Sequence, residues 1–189
     1  MSYKCNINKL LEIVEESEDV TYTKAELLKK FEEFIKFSGF TITKWIKLDA
    51  VPYEILLMDK EGRTFRIVLY LKNITDAGWK DKPWYKRVQV DNVRNVSPEC
   101  YIDTENTQTL MILGYYNYDN NPLMVGWNAY KYVMHSTQRS CYVTLDVMLK
   151  GYKKGYHTDI VSKQKVWVFT PDNFDVFLKN YINANKIEE

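Results

Sequence analysis

Three stretches of the sequence interleave basic, aromatic and amide side chains, a mixture that suits a nucleic-acid ligand. They are residues 79–89, 127–132 and 135–140. Lysine and arginine contact phosphates, arginine can bind guanine, asparagine and glutamine can bind adenine, and tryptophan or tyrosine can stack on an exposed base. In the first stretch these residue types make candidates of Lys80, Lys82, Trp84 and Lys86. Basic loops are also common on soluble proteins, so an ordinary solvated surface is the alternative.

The five tryptophans differ in their sequence surroundings. Trp127 lies in a strongly apolar stretch, and Trp45 and Trp167 are also predicted to be core residues. Trp79 and Trp84 lie among lysines and are predicted to be the exposed pair, available to a ligand together with the neighbouring tyrosines.

The net charge of +1, from 26 basic and 25 acidic residues, conceals an uneven distribution. Residues 72–94 contain six basic residues against three acids, and residues 131–165 contain seven against two. The acids concentrate near the N-terminus, where residues 12–33 hold eight carboxylates and three lysines and are interpreted as a solvated helical surface. Near-neutrality therefore does not argue against a polyanionic partner.

A divalent-metal nuclease is the enzyme class that the sequence leaves open. Such a site needs carboxylates and a lysine on neighbouring strands, and here Asp59 ends one predicted strand while Lys72 ends the next. Tyr70 occupies the position at which a second acid is needed, and its phenol stays protonated at neutral pH. His135 and His157 are interpreted as surface or hydrogen-bonding residues, so no catalysis is expected from this chain alone.

Other signals exclude several classes of protein and site. No nucleotide-binding, hydrolase or zinc-protease motif is present. Cys5, Cys100 and Cys141 are widely spaced, which predicts reduced thiols without a disulfide or metal, and no cofactor is expected. The N-terminal residues do not resemble a signal peptide, and no apolar run approaches the roughly 20 residues of a membrane span. We therefore expect a cytoplasmic protein.

Hydrophobic periodicity predicts two helices at the start of the chain and two near its end. The first is carried by Ile7, Leu10, Leu11 and Val14, and the second by Leu27, Leu28, Phe31, Phe34 and Ile35. Thr23 and Glu26 have the spacing of a capping box for the second helix, and Gly39 is expected to end it. The later helices are predicted over residues 146–154, ending at Gly155, and over residues 172–185, capped by Asp172.

Between these helices the pattern is typical of short strands. They are predicted over residues 40–45, 53–58, 64–71, 87–90, 109–116, 123–127, 141–145 and 165–169. Residues 60–63 are predicted to form a hairpin turn, residues 119–122 a second turn, and residues 91–107 a long polar loop.

This order predicts a single α+β domain over residues 1–189, with a mostly antiparallel, barrel-like sheet. It comprises a helical part over residues 1–38 with two N-terminal helices, a strand-rich part over residues 40–170 and a C-terminal helix over residues 172–185.

The second half of the chain resembles a module found next to nuclease or methylase parts in bacterial restriction and phage-defence proteins. The shared features are Arg87-x-Gln89, an apolar strand ending at Gly114, a strand ending in Trp127 plus a polar residue, and a late strand before the last helix. The resemblance covers residues 84–182, and Asn128 departs from the aspartate expected there.

The resemblance implies target recognition, with double-stranded DNA read by loops on a small barrel similar to B3-like or PUA-like domains. Binding that depends on the DNA sequence and binding that depends on a base modification are both open. A nuclease or methylase subunit or fused domain is the implied protein partner. The residues carried over by the resemblance are Arg87, Gln89, Asn128, Tyr130, Lys131 and Arg139. A structural alternative has Gln89 bonding backbone and Arg87 paired with an acid. Two other functions stay open, namely a degenerate metal-dependent nuclease and a protein-interaction module that uses the aromatic surface.

Overall fold

The computed structural model of the chain describes residues 19–90, 108–118, 120–132 and 139–185. The predicted first helix, the predicted loop over residues 91–107, His135 and two of the three cysteines lie outside the described residues. The third cysteine, Cys141, is a buried free thiol, and burial raises its pKa to about 12.

The described residues contain three α-helices, which we number α1 to α3. They are α1 (Lys24–Phe37), α2 (Leu145–Lys154) and α3 (Phe174–Asn185). The capping box predicted for α1 is confirmed, since Thr23 Oγ1 accepts from the Glu26 N–H and Glu26 Oε2 accepts from the Thr23 N–H. Gly155 follows α2 with a φ of 77°, the left-handed conformation that its prediction as a helix end requires.

The predicted cap of the last helix is wrong. A 3₁₀ turn over Pro171–Asn173 precedes α3, and Thr170 occupies its N-cap position. Asp172 therefore lies inside this turn, because Pro171 is suited to the first helical position and begins the turn one residue earlier.

The described residues contain ten strands, and eight of them match predicted strands to within a few residues. They are β1 (Thr41–Lys47), β2 (Tyr53–Met58), β3 (Thr64–Asn73), β4 (Thr75–Asp76), β5 (Tyr85–Val90), β6 (Gln108–Tyr118), β7 (Asn121–Trp127), β8 (Arg139–Thr144), β9 (Tyr156–Val161) and β10 (Gln164–Phe169). The two unpredicted strands are β4, which has only two residues, and β9, which lacks a continuous apolar face.

These strands form two sheets rather than one closed barrel. Seven strands pair in the order β1-β2-β3-β6-β7-β10-β9, and three pair in the order β4-β5-β8. All pairs among the described strands are antiparallel except β3 with β6. The α+β class is thus confirmed, but the barrel-like closure is not found, because β1 and β9 are the two ends of the large sheet rather than a bonded pair.

Each face of the large sheet covers its own hydrophobic core. Helices α1 and α3 pack on one face, around Phe31, Phe34, Trp167, Phe177 and Tyr181. The small sheet and α2 pack on the other face, around a second set of side chains that comprises Val88, Ile112, Trp127, Val143 and Met148. Alternate residues of the central strands enter opposite cores, so β6 sends Ile112 to one and Leu113 to the other. The three-layer arrangement leaves the far face of the small sheet directed away from both cores.

The predicted core tryptophans are mostly confirmed. Trp127 and Trp167 are fully buried, whereas Trp45 is half-buried and donates from Nε1 to Glu32 Oε1 at 3.0 Å. Within the described residues, none of the helices is long and apolar enough to cross a membrane.

Candidate functional site

The small sheet has one buried face and one face directed away from the core. Val88 and Val90 of β5 and Cys141 and Val143 of β8 are buried in the core. The alternate positions face the other way because successive strand side chains point to opposite sides. They form what we call the outer face, which comprises Thr75, Tyr85, Arg87, Gln89, Ser140 and Tyr142. Gln89 is exposed and the other five are half-buried, and Tyr85 and Tyr142 also pack against the core.

An aromatic cluster occupies one end of the outer face. The ring centroid of Trp79 lies 4.7 Å from that of Tyr142 and 4.9 Å from that of Tyr85. Lys82 Nζ lies 5.6 Å from the Trp79 ring centroid and 6.0 Å from that of Tyr85. The turn that brings these groups together is closed by a 3.0 Å bond from the Lys82 N–H to the Trp79 carbonyl. The cluster therefore combines a cation with packed aromatic rings, the contacts that phosphates and bases use.

Arg87 lies at the middle of the outer face. It is opposite Tyr142 on one side and Thr75 on the other, and the side chain is half-buried. Its Nε atom is buried without a hydrogen-bond partner, and no acid among the described residues pairs with its guanidinium. Gln89, two positions along β5, is exposed. The structural alternative for Arg87-x-Gln89, an acid pair and a backbone bond, is therefore not found in this part of the chain.

Lys86 is on the opposite side of β5 from Arg87, and its predicted role as a DNA contact is at odds with its position. Its side chain is 4% exposed, and Nζ lies 2.8 Å from Asp19 Oδ2 and 3.8 Å from Asp76 Oδ2. Tyr116 donates to the other Asp19 oxygen at 3.4 Å. Strand alternation places Lys86 among core residues, where a buried ammonium requires an acid partner. We therefore assign Lys86 to the fold.

The second basic-aromatic stretch forms a 3₁₀ turn over Ala129–Lys131, directly after β7. Asn128 Oδ1 accepts from the Tyr130 N–H at 3.0 Å, and the Tyr130 hydroxyl accepts from the Leu110 N–H at 3.1 Å. Both predicted contact residues thus hold the turn in place, while Lys131 is exposed.

Arg139 is exposed at the start of β8 but does not belong to the outer face. It pairs with Val90 and has the same strand parity as Cys141 and Val143, so its side chain begins on the side opposite Arg87. Lys80 and Lys82 are exposed beside the aromatic cluster. The prediction of Trp79 and Trp84 as the exposed pair is wrong, because both are half-buried, Trp84 against the core and Trp79 against Tyr85 and Tyr142. The structure thus brings together Arg87, Gln89 and the lysines near Trp79. Arg139 does not belong to this group.

Four residues that are not candidates by sequence contribute to this region. Tyr142, Ser140 and Thr75 complete the outer face, and Asp19 pairs with Lys86. The alternation in Ser140-Cys141-Tyr142-Val143 is a signal for two of them, since it places both polar residues on one side.

The proposed nuclease pair is not brought together. Asp59 adjoins the β2–β3 turn, where Met58 pairs with Thr64, and Lys72 lies at the other end of β3. Eight positions of β3 separate Thr64 from Lys72, roughly 26 Å of extended strand. No cluster of three or more acidic, histidine or cysteine side chains suited to a metal occurs among the described residues.

Asp59 instead stabilises the hairpin turn. Its Oδ1 accepts from the N–H groups of Glu61 and Arg63, both at 2.9 Å, and its Oδ2 accepts from Arg63 Nε at 2.6 Å. Burial opposes ionisation of this carboxyl, but the bonds from Arg63 and Glu61 outweigh burial and lower the pKa of Asp59. The carboxylate is therefore an integral part of the turn.

The Asp59 bonds predict an acid-sensitive contribution to stability. A lowered native pKa means that this contribution is complete above the ordinary value of 3.8 and disappears as the pH falls below it toward the native pKa. We expect wild type to be more stable than Asp59→Asn at about pH 5, and the difference to shrink by about pH 2.5, as measured by urea unfolding at each pH. A difference that stays constant across this range would contradict the role of the ionised carboxylate.

The comparison with protein families matches the part of the chain that contains the whole small sheet and the large sheet from β3 onward. The sequence model of the methylase-associated X1 family matches residues 65–178, more than half of the chain. The chain belongs to the methylase-associated X1 family. Searches of curated proteins and of solved structures found no match.

For this methylase-associated X1 chain, the matched region begins in β3 and ends within α3, so it includes the outer face and the turn after β7. Membership indicates a role in a restriction-modification-type system and a methylase or restriction partner context. The family match begins earlier than the resemblance noted in the sequence, which starts at residue 84.

Proposed function

We propose that this chain is a target-recognition module that binds double-stranded DNA with the outer face of its small sheet. Within the restriction-modification context of its family, it would direct a methylase or nuclease subunit to DNA. The module itself performs no catalysis in this proposal. The proposed contact residues are Lys80, Lys82, Arg87, Gln89 and, beyond the outer face, Lys131 and Arg139.

The observation that carries the proposal is the state of Arg87. A half-buried guanidinium has lost some of its hydrogen bonds to water. Arg87 does not replace them with an acid partner among the described residues, and its Nε has no hydrogen-bond partner. Phosphate oxygens and the guanine edge are acceptors that match the planar fork of arginine. The ligand that satisfies Arg87 is therefore expected to be an anion or a base edge.

The surroundings of Arg87 favour DNA over a small anion. Gln89 extends the row of polar side chains along β5, and Lys82 lies against the aromatic cluster at the other end. Exposed Lys80 adds a second cation in the same turn. A row of polar side chains that follows β5 and ends at two lysines fits an extended polyanion better than a single phosphate ion.

The test is the salt dependence of duplex binding. We expect affinity for a random-sequence duplex to fall steeply between about 50 and about 200 mM salt, with a log–log slope near −0.9 for each phosphate contacted. Fluorescence anisotropy with a labelled duplex measures this slope. Binding that does not change with salt, or no binding at low salt, would contradict the proposal, and cleavage of the duplex in magnesium buffer would contradict a module without catalysis.

Single substitutions identify the binding surface. Arg87→Ala and Lys131→Ala are each expected to weaken duplex binding, and Lys131→Ala should reduce the salt slope by roughly one. Circular dichroism should show an unchanged fold, because Lys131 is exposed and Arg87 has no acid partner to lose among the described residues.

The matched control is Lys29→Ala on α1, an exposed lysine on the other side of the large sheet. This control removes one positive charge without changing the outer face. If Lys29→Ala weakens binding as much as Arg87→Ala, the effect reflects net charge and the proposed face is wrong.

A further inference from the structure

Part of the small sheet is a two-stranded ribbon. Strand β4 pairs only with Arg87 and Lys86, whereas β8 pairs with β5 over its full length from Tyr85 to Val90. Beyond Arg87, β5 has β8 as its only bonded neighbour among the described strands. The outer face of the β5–β8 pair presents two cross-strand pairs. Gln89 with Ser140 lies in the two-stranded part, and Arg87 with Tyr142 lies where β4 ends, opposite Thr75.

The dimensions of such a ribbon match the major groove of DNA. The groove is about 12 Å wide and admits a two-stranded β-ribbon, and each base pair presents a distinct pattern of donors and acceptors there. Side chains that point into the groove from a ribbon must come from one face and from alternate positions. Arg87 and Gln89 meet both conditions.

The spacing of Arg87 and Gln89 also matches the repeat of the duplex. Residues two apart on one strand face are separated by about 6.7 Å. Two base-pair steps of B-DNA span about 6.8 Å. The two side chains can therefore reach base pairs that have one base pair between them.

We infer that the β5–β8 ribbon enters the major groove and that Arg87 reads a guanine while Gln89 reads an adenine two base-pair steps away. This inference rests on the proposed function, because it specifies how the same face selects its DNA. Arginine forms a bidentate contact with guanine O6 and N7, and glutamine does so with adenine N6 and N7. Tyr142 and Ser140 are the cross-strand neighbours of the two readers.

The aromatic cluster lies at the end of the ribbon where β5 begins. Trp79 packs on Tyr85 and Tyr142, two outer-face residues at the start of β5 and near the end of β8. Lys82 is held over these rings, outside the row of the two readers. In this arrangement the lysine contacts the sugar–phosphate backbone at the groove edge, while Arg87 and Gln89 contact bases.

Selection from a library of random duplexes tests the inference with the full chain. We expect recovered sites to contain a guanine and an adenine separated by one base pair, on the same strand or on opposite strands. Arg87→Lys keeps the charge but loses the bidentate fork, so the guanine preference should fall by roughly fivefold or more while binding to random duplex persists. Gln89→Glu should change the second preference from adenine to cytosine, because a carboxylate accepts from cytosine N4.

The control is Lys131→Ala, which should lower affinity for all sequences alike and leave the recovered site unchanged. Absence of duplex binding by wild type would overturn the proposed function itself. Binding without a preferred site would leave the function standing and overturn the inference. Preferred bases that are unaffected by Arg87→Lys and Gln89→Glu would likewise overturn the inference alone.

Discussion

Replacing Lys86 with methionine is expected to destabilise the protein by roughly 1.5–3 kcal/mol, the usual range for buried hydrogen bonds to charged groups. Lys86 Nζ contacts Asp19 at 2.8 Å, and the lysine side chain is 4% exposed. Methionine keeps the length of the apolar stem, so the loss of stability comes from removal of the ammonium group. The Asp19 carboxylate is then left without its cation. Because Asp19 is 16% and Asp76 is 50% exposed, water compensates part of the loss, and the effect stays below that of a fully buried pair.

Urea unfolding followed by tryptophan fluorescence measures the change. Lys80→Met is the matched control, because Lys80 is exposed in the preceding turn and the same substitution there is expected to change stability by about 0.5 kcal/mol or less. Asp19→Asn combined with Lys86→Met forms a double-mutant cycle, and the coupling between the two residues should be clearly positive. A Lys86→Met protein as stable as Lys80→Met would show that the pair does not contribute to the fold.

Gly114→Val is expected to destabilise the protein by about 1–3 kcal/mol through overpacking. Gly114 lies in β6, where the large sheet meets the small one. A Cβ atom at this position would come within 2.5 Å of Ile74 Cγ1 and 2.9 Å of Val88 Cγ1. Ile74 is also held in place, since its N–H donates to the Tyr115 carbonyl at 3.0 Å. The glycine thus permits the close approach of the two sheets.

The overpacking account predicts a specific rescue. Ile74→Ala removes the Ile74 atoms that a Cβ at residue 114 would meet, although the contact with Val88 Cγ1 remains. Gly114→Ala should therefore cost less stability in an Ile74→Ala background than in wild type. Chemical unfolding of the four proteins in this cycle measures the difference. Additive effects of the two substitutions would contradict a steric contact between residues 74 and 114.

The buried ion pair between Asp19 and Lys86 could not be predicted from the charge pattern of the sequence. The sequence pattern assigns Asp19 to a solvated acidic surface and Lys86 to the DNA contacts, yet each neutralises the other across 67 positions of the chain. Residues this far apart have no spacing that would reveal their pairing. A charge count per segment records both residues but not the contact between them.

Other elements could be predicted because their cause is local. The capping box of α1 requires only Thr23 and Glu26, three positions apart, and the β2–β3 hairpin requires only a turn between two apolar strands. The apolar face of α1 follows from the helical spacing of Leu27, Phe31 and Phe34. The residues that carry each of these signals are close in the sequence, so the covalent chain already keeps them close in space.

By itself, the amino-acid sequence determined the α+β class, most strand positions, the basic-aromatic stretches and the resemblance to methylase-associated proteins. The tertiary structure decided that the described strands form two open sheets, that β3 and β6 are parallel, and that Arg87 and Gln89 share a face from which Lys86 is excluded. The physical reason for this division is that the periodicity of a strand shows only which of its residues point to the same side. Which face becomes buried, and which charge meets which partner, depends on contacts between segments that are distant in the chain.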